Sequence, residues 1–334
     1  MGFFILLVLR RITNTWAMMR QSFGVVRSYR PLMLLPLISS VFCLLTSIIV
    51  LGGSVLVFDI PIHGAEFAPT TPRVTAEGSH QALRTGLYRF LGYDGDLRTP
   101  KPASATDDER RTTEHEWLTL FFFYLANYTV IAYFNVAFAS IVLNHLGGGH
   151  ATLNDGLQVA WMRKGSILQW AILASTVGVL LKMISKRSQF GRWIASILGY
   201  TWRLGSYFAI PILAMGNMGA GEALQRSATV LKDKWGEVVV AQFSFSLLFM
   251  VLALPGAALF FFLAGLLGQS LGFVALLAVT YWVWLSIFIF SGEQVFIAAL
   301  YRYATQNEVS RGFSKSDLES AWEGLRPLPI GQAL

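Results

Sequence analysis

GAGEALQRSATVLKDKWGEV, Gly219 to Val238, is a charged run caught between two long apolar segments. Ala220, Ala223, Leu224, Ser227, Leu231, Trp235 and Val238 recur at helical spacing, and Glu222, Gln225, Arg226, Thr229, Lys232 and Glu237 fill the opposite side. A helix of this kind lies along a membrane surface, with Arg226, Lys232 and Lys234 as candidate headgroup anchors. NDGLQVAWMRKG, Asn154 to Gly165, is a weaker echo in front of another apolar segment. Surface helix followed by apolar hairpin is therefore a unit that the chain repeats.

Working outward, the composition agrees with a lipid setting. The chain is 54% hydrophobic and 13% charged, with a mean hydropathy of +0.53, which excludes an ordinary soluble domain. Its one cysteine, Cys43, lies inside an apolar run, so neither an intrachain disulfide nor a cysteine metal site exists. The net charge of +7 is unevenly spread: Asp59 to Glu116 holds ten acidic and seven basic residues, and the rest of the chain carries a net +10. Basic residues flanking spans prefer the cytoplasmic side, so this loop is expected outside and both termini inside the plasma membrane of a prokaryotic cell. Because the cations are dispersed beside spans, anionic lipid headgroups are the expected partner and nucleic acid is not.

The predicted order begins with an N-terminal segment, 1–31, whose Trp16, Met19, Phe23 and Val26 share one face while Arg20, Arg27 and Arg30 lie off it. Pro31 ends that helix, and 32–58 is the first span. The extracytoplasmic loop, 59–116, is rich in Pro, Thr and Asp; Leu83, Leu87, Phe90 and Leu91 fit one face of a short surface helix, with a mobile loop as the equal alternative. Further spans are expected at 117–143, 166–184, 193–215, 238–267 and 271–290, with cytoplasmic elbows at 152–165 and 219–237. A kink is expected at Pro255–Gly256, a break at Ser291–Gly292–Glu293, and a polar cytoplasmic tail over 306–334. The fold class is thus all-α: a polytopic membrane helix bundle of about six transmembrane helices, with amphipathic helices before the odd-numbered spans.

Four polar residues fall at membrane depth: Asn127, Asn135, Arg203 and Glu293. Eight residues separate the two asparagines, which places them about 80° apart round a helix and toward shared neighbours. Interhelical hydrogen bonding explains them, and a substrate-facing polar line is the alternative. Arg203 and Glu293 either pair, joining the fourth and last spans, or separately reach the interface.

Catalytic motifs fail on inspection. His115–Glu116 begins an HExxH pattern, but Thr119 stands where the second histidine belongs. Gly147–Gly148–Gly149 lacks the Lys–Ser/Thr ending of a phosphate loop. His145, His150 and Asp155 are the one group near headgroup depth available to a lipid-acting enzyme or a metal. No catalytic, cofactor-binding or metal-binding residue is assigned.

TWAMMRQSFGVVRSYRPLMLLPLISS, YFNVAFASIVLNHLGGGHATLNDGLQVAW, GEALQRSATVLKDKWGE and AALYRYAT together resemble an uncharacterised prokaryotic family of six-span membrane proteins, a domain of unknown function. More distantly, the elbow is similar to the membrane domain fused to some glycerophosphodiester phosphodiesterases, in which an ALxxS…K…W pattern precedes a span. Ala223, Leu224, Ser227, Lys232 or Lys234, and Trp235 match it. The resemblance implies fold and location, and supplies no catalytic residues. Three function classes follow: a non-catalytic protein that organises lipid or partner proteins, a transporter or channel for a small solute or lipid, and a lipid-modifying enzyme.

Overall fold

A computed structural model describes residues 19–58, 105–267 and 271–306, and among these every regular element is helical. The helices are α1 (19–28), α2 (Leu34–Phe58), α3 (Ala105–Leu146), α4 (Leu153–Met162), α5 (Lys164–Arg187), α6 (Gln189–Gly205), α7 (Ala209–Met215), α8 (Ala220–Leu267) and α9 (Leu271–Gln306). A 3-10 turn, Arg30–Met33, joins α1 to α2 with Pro31 in its first turn, where a missing N–H costs nothing. Among the described residues, five helices are long and apolar enough to cross a membrane: Arg30–Ser54, Glu116–Leu146, Lys164–Arg187, Phe245–Leu263 and Val274–Gln306. The remaining apolar stretch is divided between α6 and α7.

Two compact units make up the chain, 1–48 with 121–334, and 49–120. The described part of the smaller unit is the end of α2 and the start of α3, which is helical from Ala105 and not only from Trp117 as the composition suggested. Acidic and basic side chains do not stop a helix, so the polar run before Trp117 continues the same backbone ladder. The candidate helix at Leu83–Leu91, Trp16 and the tail beyond Gln306 lie outside the described residues.

In the larger unit, α8 packs on α9 and α7, α5 on α6, and α4 on α5. The core is concentrated in the parts next to the surface helices. It takes Met19, Val26 and Leu35, then Phe138 and Ile141 of α3, Ala209 and Ile212 to Ala214 of α7, and Val295 to Tyr301 of α9. By contrast, no residue described from Ser246 to Leu263 is buried, and Leu44, Ile49, Phe261 and Phe262 are openly exposed. Apolar surface of this extent on spanning helices is what a bilayer covers.

Two expected boundaries are absent. Elbow and span are one 48-residue helix, α8, because the run from charged to apolar residues near Val238 contains no cap, glycine pair or proline to end a turn. The break expected at Ser291–Gly292–Glu293 is helix as well; Ser291 Oγ donates to the Ile287 carbonyl and stays within the ladder. Pro255, where a kink is expected, lies inside the same helix, as the single span 238–267 requires. A proline lacks the N–H that would serve the carbonyl four residues back, and Tyr281 Oη donates to the adjacent Leu252 carbonyl at 2.6 Å.

Candidate functional site

The chain does break where α6 meets α7. Gly205 ends α6, Ser206 to Phe208 form turns, and Pro211 sits in the first turn of α7. Leaving the ladder exposes backbone groups, and at depth each must find a partner. Ser227 Oγ, fully buried on the elbow face of α8, accepts the Phe208 amide N–H at 3.0 Å. Ser227→Ala leaves that amide buried and unpaired, so it is expected to cost about 1–3 kcal/mol, measured as a shift in chemical unfolding in detergent. Ser227→Thr, which keeps a hydroxyl, is expected to lose less.

Tyr207 is buried at the same break, and its hydroxyl has no hydrogen-bond partner among the described residues. Both Glu293 and Arg203 act on it electrostatically, and Arg203 also acts on Glu293. Glu293 is half-buried on α9, whereas Arg203 is exposed at the end of α6. The two are neighbours through space, yet no direct ion pair joins them among the described residues. A long arginine at a helix end reaches polar surroundings, which is the separate-anchoring alternative.

The asparagines part company. Asn127 Oδ1 accepts from Ser47 Oγ of α2 at 3.3 Å, and its Nδ2 donates to the Phe123 carbonyl at 2.9 Å. It is thus an interhelical tie of the kind expected in a bilayer. Asn135 is half-buried one face away and does not share those partners.

Around the core end lie the surface helices. On α1, Met19, Ser22 and Val26 are buried and Arg20 and Arg27 exposed, as is Arg30 just beyond its end, in line with the periodicity. On the first turns of α8, Ala220, Ala223 and Ser227 are buried while Glu222, Gln225, Arg226, Thr229 and Lys232 face out. Arg226 also approaches Met218 Sδ at 3.9 Å. The Lys234 and Trp235 side chains lie outside the described residues. Trp161 is exposed on α4, with Lys164 Nζ 4.5 Å above its ring, an interfacial pair.

The glycine run between α3 and α4 is shaped by its neighbours. Gly148 has a φ of 88°, and a Cβ on Gly149 would stand 2.2 Å from Asn144 Oδ1. That Asn144 oxygen accepts the Ala151 amide at 3.1 Å. Arg302 of α9 reaches the Leu143 carbonyl at 3.5 Å beside Gly147 and so caps α3, a contact no sequence motif announces. His145 Nε2 lies 3.1 Å from the Ala151 carbonyl, and Asp155 closes a capping box with Thr152. The Thr152 backbone amide and hydroxyl both donate to Asp155 and hold its carboxyl below the ordinary range. His145, His150 and Asp155 therefore do not converge, and no group of three His, Cys, Asp or Glu is placed to hold a metal among the described residues.

Cavities flank α1 on both sides. One of about 420 Å³ is lined by Gln21, Ser28, Tyr29, His145 and His150, and one of about 290 Å³ by Arg27, Arg30, Trp284 and Phe288 among others. A third, about 210 Å³, lies beside Arg302. None of the three is lined by Asn127, Asn135, Arg203 or Glu293. No curated protein and no solved structure matches the chain. Residues 115–312, more than half of its length and the fold from within α3 to the end of α9, match a described family, and the protein belongs to that family of unknown function, DUF6159.

Proposed function

We propose that this protein is a non-catalytic integral membrane protein that organises lipids or partner proteins at one face of a prokaryotic plasma membrane, with both termini on the cytoplasmic side. One observation carries the reading: α1 and the start of α8 each present cations outward and bury an apolar face in the same core, ahead of an apolar segment, and Arg163 and Lys164 follow α4 in the same way. Cations at that level attract anionic headgroups. The distant similarity of the elbow to the membrane domain of glycerophosphodiester phosphodiesterases supports a setting among phospholipids. No phosphodiesterase activity is part of the proposal.

The elbow cations give the test. Arg226→Glu, Lys232→Glu and Lys234→Glu combined are expected to lower the anionic lipid that copurifies in native lipid discs by about tenfold or more, at roughly 1 kcal/mol per cation. Lipid mass spectrometry reads the change, and unchanged lipid composition with unchanged topology overturns the reading. A transporter or channel is the second reading, favoured by the discontinuity between α6 and α7 beside Tyr207 and Glu293, since broken helices form many transport sites. It ranks below the first because two of the described cavities lie against α1 with its exposed arginines.

A further inference from the structure

The cleft beside Arg27 and Arg30 combines two properties that seldom meet by chance. Its wall is apolar, with Met33 of the 3-10 turn, Leu34 at the head of α2 and Trp284 and Phe288 of α9, and the side chains of Arg27 and Arg30 line it as well. Both arginines are exposed, and neither has an acidic partner among the described residues. A free anion would make no use of the walls, and a hydrocarbon would make no use of the cations. An amphiphile with an anionic head satisfies both.

We infer that this cleft holds one anionic phospholipid, its phosphate against Arg27 and Arg30 and the upper part of an acyl chain against Trp284, Phe288, Met33 and Leu34. The depth is right: Arg30 stands at the head of the apolar span Arg30–Ser54, the level of the headgroups. Trp284 and Phe288 are one turn apart on α9, so their side chains form a continuous strip. Tryptophan is the residue that favours the boundary between headgroup and hydrocarbon. Planar guanidinium groups suit a phosphate, which they grip through paired N–H donors. At about 290 Å³ the cleft is at the small end of ligand sites, so it takes the head-proximal part of the lipid and leaves the chain ends in the bilayer. The inference rests on the lipid-organising reading and narrows it to one site.

The test uses the full-length protein in micelles doped with equal phosphatidylglycerol and phosphatidylcholine, stripped stepwise and read by native mass spectrometry. One phosphatidylglycerol is expected to survive after all other lipid is removed. Arg27→Gln with Arg30→Gln should lower its retention over phosphatidylcholine by about 20-fold, while Arg27→Lys with Arg30→Lys keeps most of it. Trp284→Ala should shorten retention of both lipids alike. An unchanged thermal midpoint of the glutamine variant separates lost lipid from lost fold. If the glutamine variant keeps its last phosphatidylglycerol with undiminished preference, the cleft assignment is wrong. Loss of that lipid in the elbow triple variant alone overturns the cleft but leaves the surface reading standing; a wild-type protein with no anionic preference at all removes the surface reading and the cleft with it.

Discussion

Gly156→Val is expected to remove most of the folded protein, and Gly156→Ala to destabilise it by about 1–3 kcal/mol. Gly156 is buried on α4 where that helix crosses α3. A Cβ built there stands 2.5 Å from the Ile141 side chain and 2.7 Å from the Ala137 backbone carbonyl. Ile141 can change rotamer, but the carbonyl belongs to the ladder of α3 and cannot retreat without moving a helix. Valine adds two more carbons to the same space, which takes the cost to the top of the overpacking range or beyond, a large share of a typical total stability of about 5–15 kcal/mol. Gly165→Ala is the matched control: nothing lies within 4 Å of its Cβ position, so it should be neutral or slightly stabilising. The measurement is chemical unfolding in detergent, followed by tryptophan fluorescence. A Gly156→Ala protein as stable as the wild type would show that α4 does not sit on α3 as described.

Much of this architecture is legible in the residues. The first span, the capped helix at Thr152–Asp155 and the faces of α1 and the elbow follow from apolar length and 3.6-residue periodicity, because burial in a bundle and in a bilayer both act on those patterns. The misplaced boundaries share one cause. Composition changes at Val238 and at Ser291–Glu293 look like ends, but a helix ends when its hydrogen-bond ladder loses a donor or gains a cap, and a change of polarity does neither. The one real discontinuity did carry signals, Gly205 just before it and Pro211 just after it, which mark the close of one helix and the first turn of the next. Reading Pro211 as the tail of a single span hid the break.

The polar residues were harder to read, because their roles depend on partners far away in sequence. Asn127 is visible as a buried amide, yet Ser47 as its partner is not. Ser227 was counted as one position on an apolar face, and its hydroxyl turns out to close the opened backbone at Phe208. Tyr207 carries no signal at all in a stretch full of aromatic residues; only its burial beside Glu293 and Arg203 singles it out. The triple glycine is legible as a turn, but not the side chains of Asn144 and Arg302 that occupy the space substituents there would need.

Gly292→Leu is expected to release α1 from the bundle. The Cβ position of Gly292, fully enclosed on α9, lies between 2.3 and 2.9 Å from three ring atoms of Phe23. That ring is stacked on Phe288 with centroids 4.5 Å apart and stands edge-on to Phe245 at 6.2 Å, so it is held on two further sides and has nowhere to turn. Expelling it forfeits burial comparable to a Phe→Ala change in a core, about 3–5 kcal/mol at full burial and less for this half-buried ring. Because Met19 and Val26 share the face that Phe23 secures, the loss falls on α1 as a whole. Limited digestion with trypsin reports it: Arg20, Arg27 and Arg30 are exposed as side chains, but cleavage needs the backbone to leave the helix, so the variant should be cut there far faster than the wild type. Phe23→Ala combined with Gly292→Leu removes the collision and should cost less than the two single changes summed, a coupling that two independent defects would not produce. The release would also carry Arg27 and Arg30 away from Trp284 and Phe288. Gly292→Leu should therefore lose the retained phospholipid and its protease resistance together, whereas Arg27→Gln with Arg30→Gln loses the lipid and keeps α1 protected. Equal tryptic protection in Gly292→Leu and wild type would mean that Phe23 does not anchor the surface helix.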